Sequence, residues 1–205
     1  MIGNYPNSNT PKSMKKNIIL LVFLPLFVFS QTDTTLNKLP YTEGKVVYEK
    51  VISINGVSKD VIYTTSKKWI VDSFLSSNTV KQISVIQTED KDFGQIIGKG
   101  YKPIFMEENP KPEQTMFGSL LNFYFFVQID CKDEKFRIRF YDLKRDLILG
   151  NQVQPIEEYD TIMTNHKNPK RREEWEIIKL RINQYFSGLP EELRNKIIQS
   201  SKDTF

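Results

Sequence analysis

The chain has 205 residues, 39% of them hydrophobic, with one Cys, one His and a formal charge of +4 at neutral pH. That length and apolar content suit one domain with its own core, since domains usually run about 100 to 200 residues. A lone Cys excludes an internal disulfide framework, and one His with one Cys cannot build a zinc site unaided.

Residues 1–13 are rich in Asn, Pro and Ser and precede a second methionine. Met14-Lys15-Lys16 then leads into the apolar run Ile18 to Phe29 and into Ser30-Gln31, the charged, apolar and small-residue order of a secretory signal peptide. The run is 12 residues, whereas a spanning helix needs about 20, so an export signal is expected rather than a membrane anchor. Val28 and Ser30 stand at the minus-three and minus-one positions of a cut before Gln31, and no Cys follows that could carry a lipid. Residues 1–30 are thus expected to be leader and signal peptide, leaving a soluble periplasmic or extracellular protein without a transmembrane segment. Their removal deletes Lys12, Lys15 and Lys16 and no acid, so 29 basic groups fall to 26 against 25 acidic ones. A mature charge of +1 argues against a nucleic-acid partner.

Residues 31–44, Thr-rich with Pro40, are a polar lead-in to a sheet domain expected over 45–143. Lys45 to Asn55 reads as a strand, with Val47, Val51 and Ile52 among its β-branched residues and Asn55-Gly56 at its end. Ser58 as N-cap, Asp60 in the first turn, and Ile62, Ser66, Trp69, Ile70, Ser73 and Phe74 at three- and four-residue spacing predict a helix. Trp69 is its core anchor, and Ser76-Ser77-Asn78 closes it. Val80 to Thr88 and Gln95 to Phe105 predict a hairpin around Asp90 to Gly94, where Gly94 supplies a positive φ. Gly98 and Gly100 share one face of the returning strand, with Ile97, Lys99 and Tyr101 on the other. Alternate glycines mark close approach, expected from the helix carrying Trp69. The run Gly94 to Gly100 fails as a phosphate loop, because Gly100 follows Gly98-Lys99 where Ser or Thr is needed and no helix comes next. Met106 to Gly118, with Pro110 and Pro112, is a loop.

The hairpin from Leu120 to Leu143 organises the chain. Leu121, Phe123, Phe125, Val127, Ile129 and Cys131 take every second position of its first strand, and Phe136, Ile138 and Phe140 every second position of the next. Closing the polar break Lys132 to Lys135 sets Cys131 opposite Phe136, Ile129 opposite Ile138 and Val127 opposite Phe140. The other face then pairs Phe126 with Tyr141, Gln128 with Arg139 and Asp130 with Arg137, so a one-residue slip would mix the two faces. Residues 144–170 read as a polar linker with a short helical piece near Pro155 to Met163. C-terminal helices packing on the domain are expected over 171–205. Trp175, Ile178, Ile182, Tyr185 and Phe186 form the first apolar stripe, Gly188 closes it at C′, and Pro190 opens a last short helix with Leu193, Ile197 and Ile198.

The order strand, helix, four strands in two hairpins, helix predicts an α+β fold, one antiparallel sheet with the helices on one face. The segments Gly56-Val57-Ser58-Lys59-Asp60, Glu89 to Gly94 leading into Ile96-Ile97-Gly98-Lys99-Gly100, and Lys132 to Arg137 with Tyr141-Asp142 resemble an exported bacterial family, domain of unknown function 4468, with a TBP-like fold. The resemblance spans Lys45 to Leu143, with Gly98-Lys99-Gly100 as its most specific part. Glu134 departs from the pattern, standing in the second turn where a glycine is expected. What the resemblance implies is a fold and a compartment, and no catalytic residues.

Little in the chain points to chemistry. His166 lies in a polar segment with nothing nearby to orient it, and Cys131 falls on the apolar face. Asp90 with Asp92, and Asp133 with Glu134, lack the spacing of a calcium loop. Arg171-Arg172 before Glu173-Glu174 is a solvated helix start. No catalytic residue, metal ligand or cofactor is assigned. The remaining candidate is the sheet face opposite the helices, which carries Tyr124, Phe126, Gln128, Arg137, Arg139 and Tyr141. Aromatics interleaved with Arg are the composition of interaction surfaces, so Tyr124, Phe126, Arg137, Arg139 and Tyr141 are the expected binding residues. The reading is a non-catalytic binding or interaction module of the bacterial cell envelope, for a protein or envelope ligand or for self-association through this face. The alternative, from another class, is an envelope enzyme using carboxylate or tyrosine acid and base groups.

Overall fold

The computed structural model describes Met1 and residues 37–74, 85–105, 120–146 and 153–202. The fold lies within the compact unit Thr34–Phe205. The expected signal peptide, the helix close at Ser76 to Asn78, the strand start at Val80 and the loop from Met106 to Gly118 lie outside the described residues.

In chain order the elements are β1 (Tyr41–Thr42), β2 (Lys45–Val46), β3 (Tyr48–Ser53), α1 (Lys59–Phe74), β4 (Ile86–Asp90), β5 (Gln95–Phe105), β6 (Leu120–Lys132), β7 (Lys135–Asp146), β8 (Val153–Pro155), α2 (Ile156–Thr164) and α3 (Pro169–Lys202). Strands β3-β7-β6-β5-β4 form the main sheet, β8 also pairs with β7, and β1 and β2 make a separate small hairpin. Every pairing is antiparallel. All three helices pack on one face, giving the expected α+β architecture.

The central hairpin has the register that its alternation predicts. Cys131 stands opposite Phe136, Ile129 opposite Ile138 and Val127 opposite Phe140, while Phe126 meets Tyr141, Gln128 meets Arg139 and Asp130 meets Arg137. Beyond Phe126 the ladder shifts, because Tyr124 pairs with Lys144 and three steps of β7 match two of β6. Asp142, at φ 53°, takes up the extra residue. The buried phase of β7 therefore moves from Phe136, Ile138 and Phe140 to Leu143 and Arg145.

The core lies between this sheet and α1 and α3. Phe125 is its hub, with ring centroids 5.3 Å from Phe74, 5.9 Å from Phe140 and 5.0 Å from Phe186. Trp69 and Trp175 are both buried, and their indole N–H groups donate to Glu192 at 2.8 Å and Asp160 at 2.7 Å. A Cβ on Gly98 would stand 2.8 Å from Ile70 Cγ2, so α1 does approach that glycine, whereas the space at Gly100 is filled by the ring of Phe125 on the neighbouring strand.

The β6–β7 turn is clasped to the β3–α1 connection. Ile54 N–H donates to the Glu134 carbonyl at 2.6 Å, Glu134 N–H to the Val57 carbonyl at 2.9 Å, and Gly56 N–H to Glu134 Oε1 at 2.9 Å. Lys59 N–H, at the start of α1, donates to Asp133 Oδ1 at 2.7 Å, so a distant turn caps this helix. Glu134 has φ 60°, the left-handed conformation in which the sequence pattern expects glycine.

Three expectations need correction. The strand expected from Lys45 to Asn55 is two strands, because Val47 N–H turns to the Pro40 carbonyl at 2.9 Å and the chain passes there from the small hairpin to the main sheet. The stretch 144–170, expected as a polar linker, holds the end of β7, then β8 and then α2, whose Ile156 and Met163 are buried. The short helical piece expected near Pro155 to Met163 is α2. Finally, Gly188 and Pro190 do not divide the C-terminal region, since α3 is one helix of 34 residues with Pro190 inside it. The buried stripe Trp175, Ile178, Ile182, Phe186, Leu189, Leu193 and Ile197 runs through that point unbroken. Its burial outweighs the roughly 3 kcal/mol that an interior proline costs.

Candidate functional site

The alternation that buries Val127 and Phe140 under the helices turns their neighbours to the opposite side of the sheet. All five residues expected to bind stand there, in two groups. Phe126 and Tyr141 are stacked, with centroids 5.6 Å apart and planes at 17°. The Arg139 guanidinium lies 5.4 Å from the Tyr141 ring and Lys99 Nζ 5.4 Å from the Phe126 ring, so a cation flanks each side of the pair. Tyr124, 38% exposed, extends the row toward β5, with its ring 5.2 Å from that of Tyr101. Tyr101 is a member that was not assigned from sequence. Its signal was present in the alternation Ile97, Lys99, Tyr101, but its place beside Tyr124 depends on the β5–β6 register.

Arg137 stands apart, toward the β6–β7 turn. Its Nε and Nη2 both donate to Asp130 Oδ2, at 2.9 and 2.7 Å. Asp130 also accepts from Gln95 at 2.8 Å and Gln128 at 3.0 Å. Burial pushes this carboxyl up, but these hydrogen bonds and the Arg137 charge outweigh it and hold Asp130 below the usual carboxylate range. At the other end, Tyr101 Oη donates to Asn122 at 2.8 Å, and Tyr124 Oη donates to Asp146 at 3.1 Å. Partial burial and the nearby Asp146 push the Tyr124 hydroxyl up to about 12. Burial likewise raises Tyr101 and Tyr141. These phenols stay protonated at neutral pH, and Tyr101 and Tyr124 spend their protons on Asn122 and Asp146. The surface offers aromatic faces and the Arg139 guanidinium, which are means of binding.

The other sequence candidates fall elsewhere. Cys131 is buried, and desolvation pushes its thiol up to about 12. His166 lies in the α2–α3 turn, where its Nδ1 accepts from Asn168 N–H at 3.0 Å and its carbonyl accepts from Arg172 at 2.6 Å. Asp90 accepts from Phe93 N–H within its own turn, at 3.0 Å. Among the described residues no group of three or more His, Cys, Asp or Glu side chains could hold a metal ion. Asp160, not singled out from sequence, accepts from Tyr41 at 2.8 Å, Trp175 at 2.7 Å and Thr164 at 3.2 Å, tying the lead-in to both C-terminal helices. Arg145, also missed, is buried on the helix face with its guanidinium 3.7 Å from the Tyr159 ring.

Residues 48–145 match the family described as domain of unknown function (DUF4468) with TBP-like fold. Comparison with curated proteins returns no match. Among solved structures, the chain is similar to a DUF4468 family protein from Bacteroides ovatus at 19% identity and TM-score 0.60, over 78% of this chain and 90% of that one. It is also similar to a TBP-like protein from Parabacteroides distasonis at 14% identity and TM-score 0.59, over 78% of this chain and 96% of the other. The chain thus matches the DUF4468 family model over residues 48–145, and its antiparallel sheet with one-sided helices has the TBP-like fold of the similar structures.

Proposed function

We propose that this chain is an exported, non-catalytic binding module of the bacterial cell envelope that holds a protein or envelope ligand on its outer sheet face. The observation that carries the reading is the row Tyr101, Tyr124, Phe126 and Tyr141, which lies opposite all three helices with Lys99 and Arg139 at its sides. Such a row costs solubility, and a selected contact is a reason to keep it. Export is supported by the signal-peptide order of residues 14–31. The bacterial sources of both similar structures agree with the setting. Among the described residues no helix is long and apolar enough to cross a membrane.

Among the described residues the displaced tyrosines are raised, chiefly by burial, and the displaced carboxyls Glu89 and Asp130 are lowered by their hydrogen bonds, which agrees with a binding role for this face. The test is the double variant Phe126→Ser with Tyr141→Ser, tagged and recovered from its native envelope. It keeps the fold, because neither ring belongs to the core, and it loses the partner that the unaltered chain carries through purification. A variant that retains that partner overturns the proposal.

A further inference from the structure

Strand β3 ends the sheet on one side, where among the described residues only β7 pairs with it. Ile54 N–H donates to Glu134 on the β7 side, and backbone groups alternate in direction along a strand. Tyr48, Lys50 and Ile52 therefore spend their hydrogen bonds on β7, while Glu49, Val51 and Ser53 direct theirs outward, away from the sheet. The side chains of these same three residues stand on the outer face, and Val51 is 60% exposed. An open edge with an exposed β-branched residue at its middle is a template for another strand. The opposite edge, β4, is short and ends in Glu89 and Asp90, the charged pattern that discourages pairing.

The edge of β3 also complements itself. In an antiparallel pairing with a two-fold axis at Val51, each Val51 meets the Val51 of the second copy and each Glu49 meets the second copy's Ser53. Behind Ser53 on β7 stands Lys135, its register partner, and Lys132 follows across the turn. Neither lysine has a side-chain partner among the described residues. Ser53 is small enough for the incoming Glu49 to reach past it to Lys135, and its carboxylate relieves the repulsion between the two ammonium groups. Glu49 is free to do so, since its own contact with Arg139 is a loose 3.8 Å. A shallow depression lined by Val51, Asp130, Lys132, Lys135, Phe136 and Arg137 runs from this strand across β7 to β6. On the helix face, Lys50 is held by Glu191 at 3.0 Å, which leaves its aliphatic stem to cover Ile52 of the second copy.

We propose that two copies of this chain pair through β3, antiparallel about Val51, and join their sheets into one. The interface is separate from the outer-face contact proposed above and stands or falls without it. Sedimentation velocity on the full chain shows a dimer, and Val51→Lys, which sets two ammonium groups against each other at the axis, raises its dissociation constant by about tenfold or more. Measured at a dilution where both chains are monomers, the melting temperature of this variant moves little because Val51 is exposed in the single chain, whereas at higher concentration the unaltered chain melts higher by mass action. Val51→Cys gives a disulfide-linked dimer under mild oxidation, with the buried Cys131 silent. A chain that stays monomeric, a dimer equally tight in Val51→Lys, or a dimer lost in the Phe126→Ser with Tyr141→Ser variant while Val51→Cys fails to cross-link overturns the proposal.

Discussion

A methyl group on Gly98 would stand 2.8 Å from Ile70 Cγ2 and 3.2 Å from the Val85 carbonyl, closer than either neighbour tolerates. Gly98→Ala should therefore destabilise the fold by about 1 to 3 kcal/mol through overpacking. Urea midpoints measure this, and a mutant cycle gives the cause: in an Ile70→Ala background the same substitution should cost less. An equal cost in both backgrounds would place the strain elsewhere. This site also marks how far single residues were legible. Glycines at alternate positions of a strand announce that space is needed on one face, and at Gly98 the occupant was the expected helix. At Gly100 it is the Phe125 ring on the neighbouring strand, because what enters such a gap is set by register and not by the glycine. Glu134 was legible only as a departure, a residue other than glycine in a turn where the family resemblance expects one. A turn position that calls for glycine holds a left-handed glutamate whose side chain accepts from Gly56 N–H.

Element by element, the β6–β7 hairpin could be read in full because both faces constrain it: apolar partners on one side, and aromatic and opposite-charge partners on the other. Its bulge could not, since one extra residue at Asp142 is a backbone event that leaves no mark on the alternation before it. Helix α3 was misread as two because Gly188 and Pro190 are local stop signals, whereas the apolar period that continues to Ile197 reports tertiary packing. Gly188 has no positive φ, and a Cβ built on it meets nothing within 4 Å. Gly188→Ala should thus raise stability by about 0.5 to 1 kcal/mol, by removing the backbone freedom that glycine has in the unfolded chain. Were Gly188 a left-handed cap between two helices, the same change would be destabilising, so the sign of the shift in the urea midpoint decides between one helix and two.

For the whole molecule, the sequence told which residues share the outer face, because alternation is local. It did not place Tyr101 beside Tyr124, or show that Arg137 is spent on Asp130 while Arg139 lies against Tyr141, because those facts depend on strand order and rotamer. On this face Arg137 meets Asp130, Arg139 meets Glu49 and Lys144 meets Asp142, while Lys99, Lys132 and Lys135 carry no ion pair among the described residues. A partner held there meets aromatic faces beside a local excess of ammonium groups. The chain as a whole comes close to charge balance once residues 1–30 are gone, since every charge in them is a lysine. The low net charge thus depends on processing, which gives the last prediction. An apolar run of 12 residues, short of the roughly 20 that span a bilayer, ends at Val28 and Ser30 in the spacing a signal peptidase cuts. The intact mass of the protein released by its host should correspond to a chain beginning at Gln31. A released or membrane-held form that keeps Ile18 to Phe29 would refute the envelope compartment and, with Lys12, Lys15 and Lys16 retained, restore the charge of +4 on which a polyanionic partner could act.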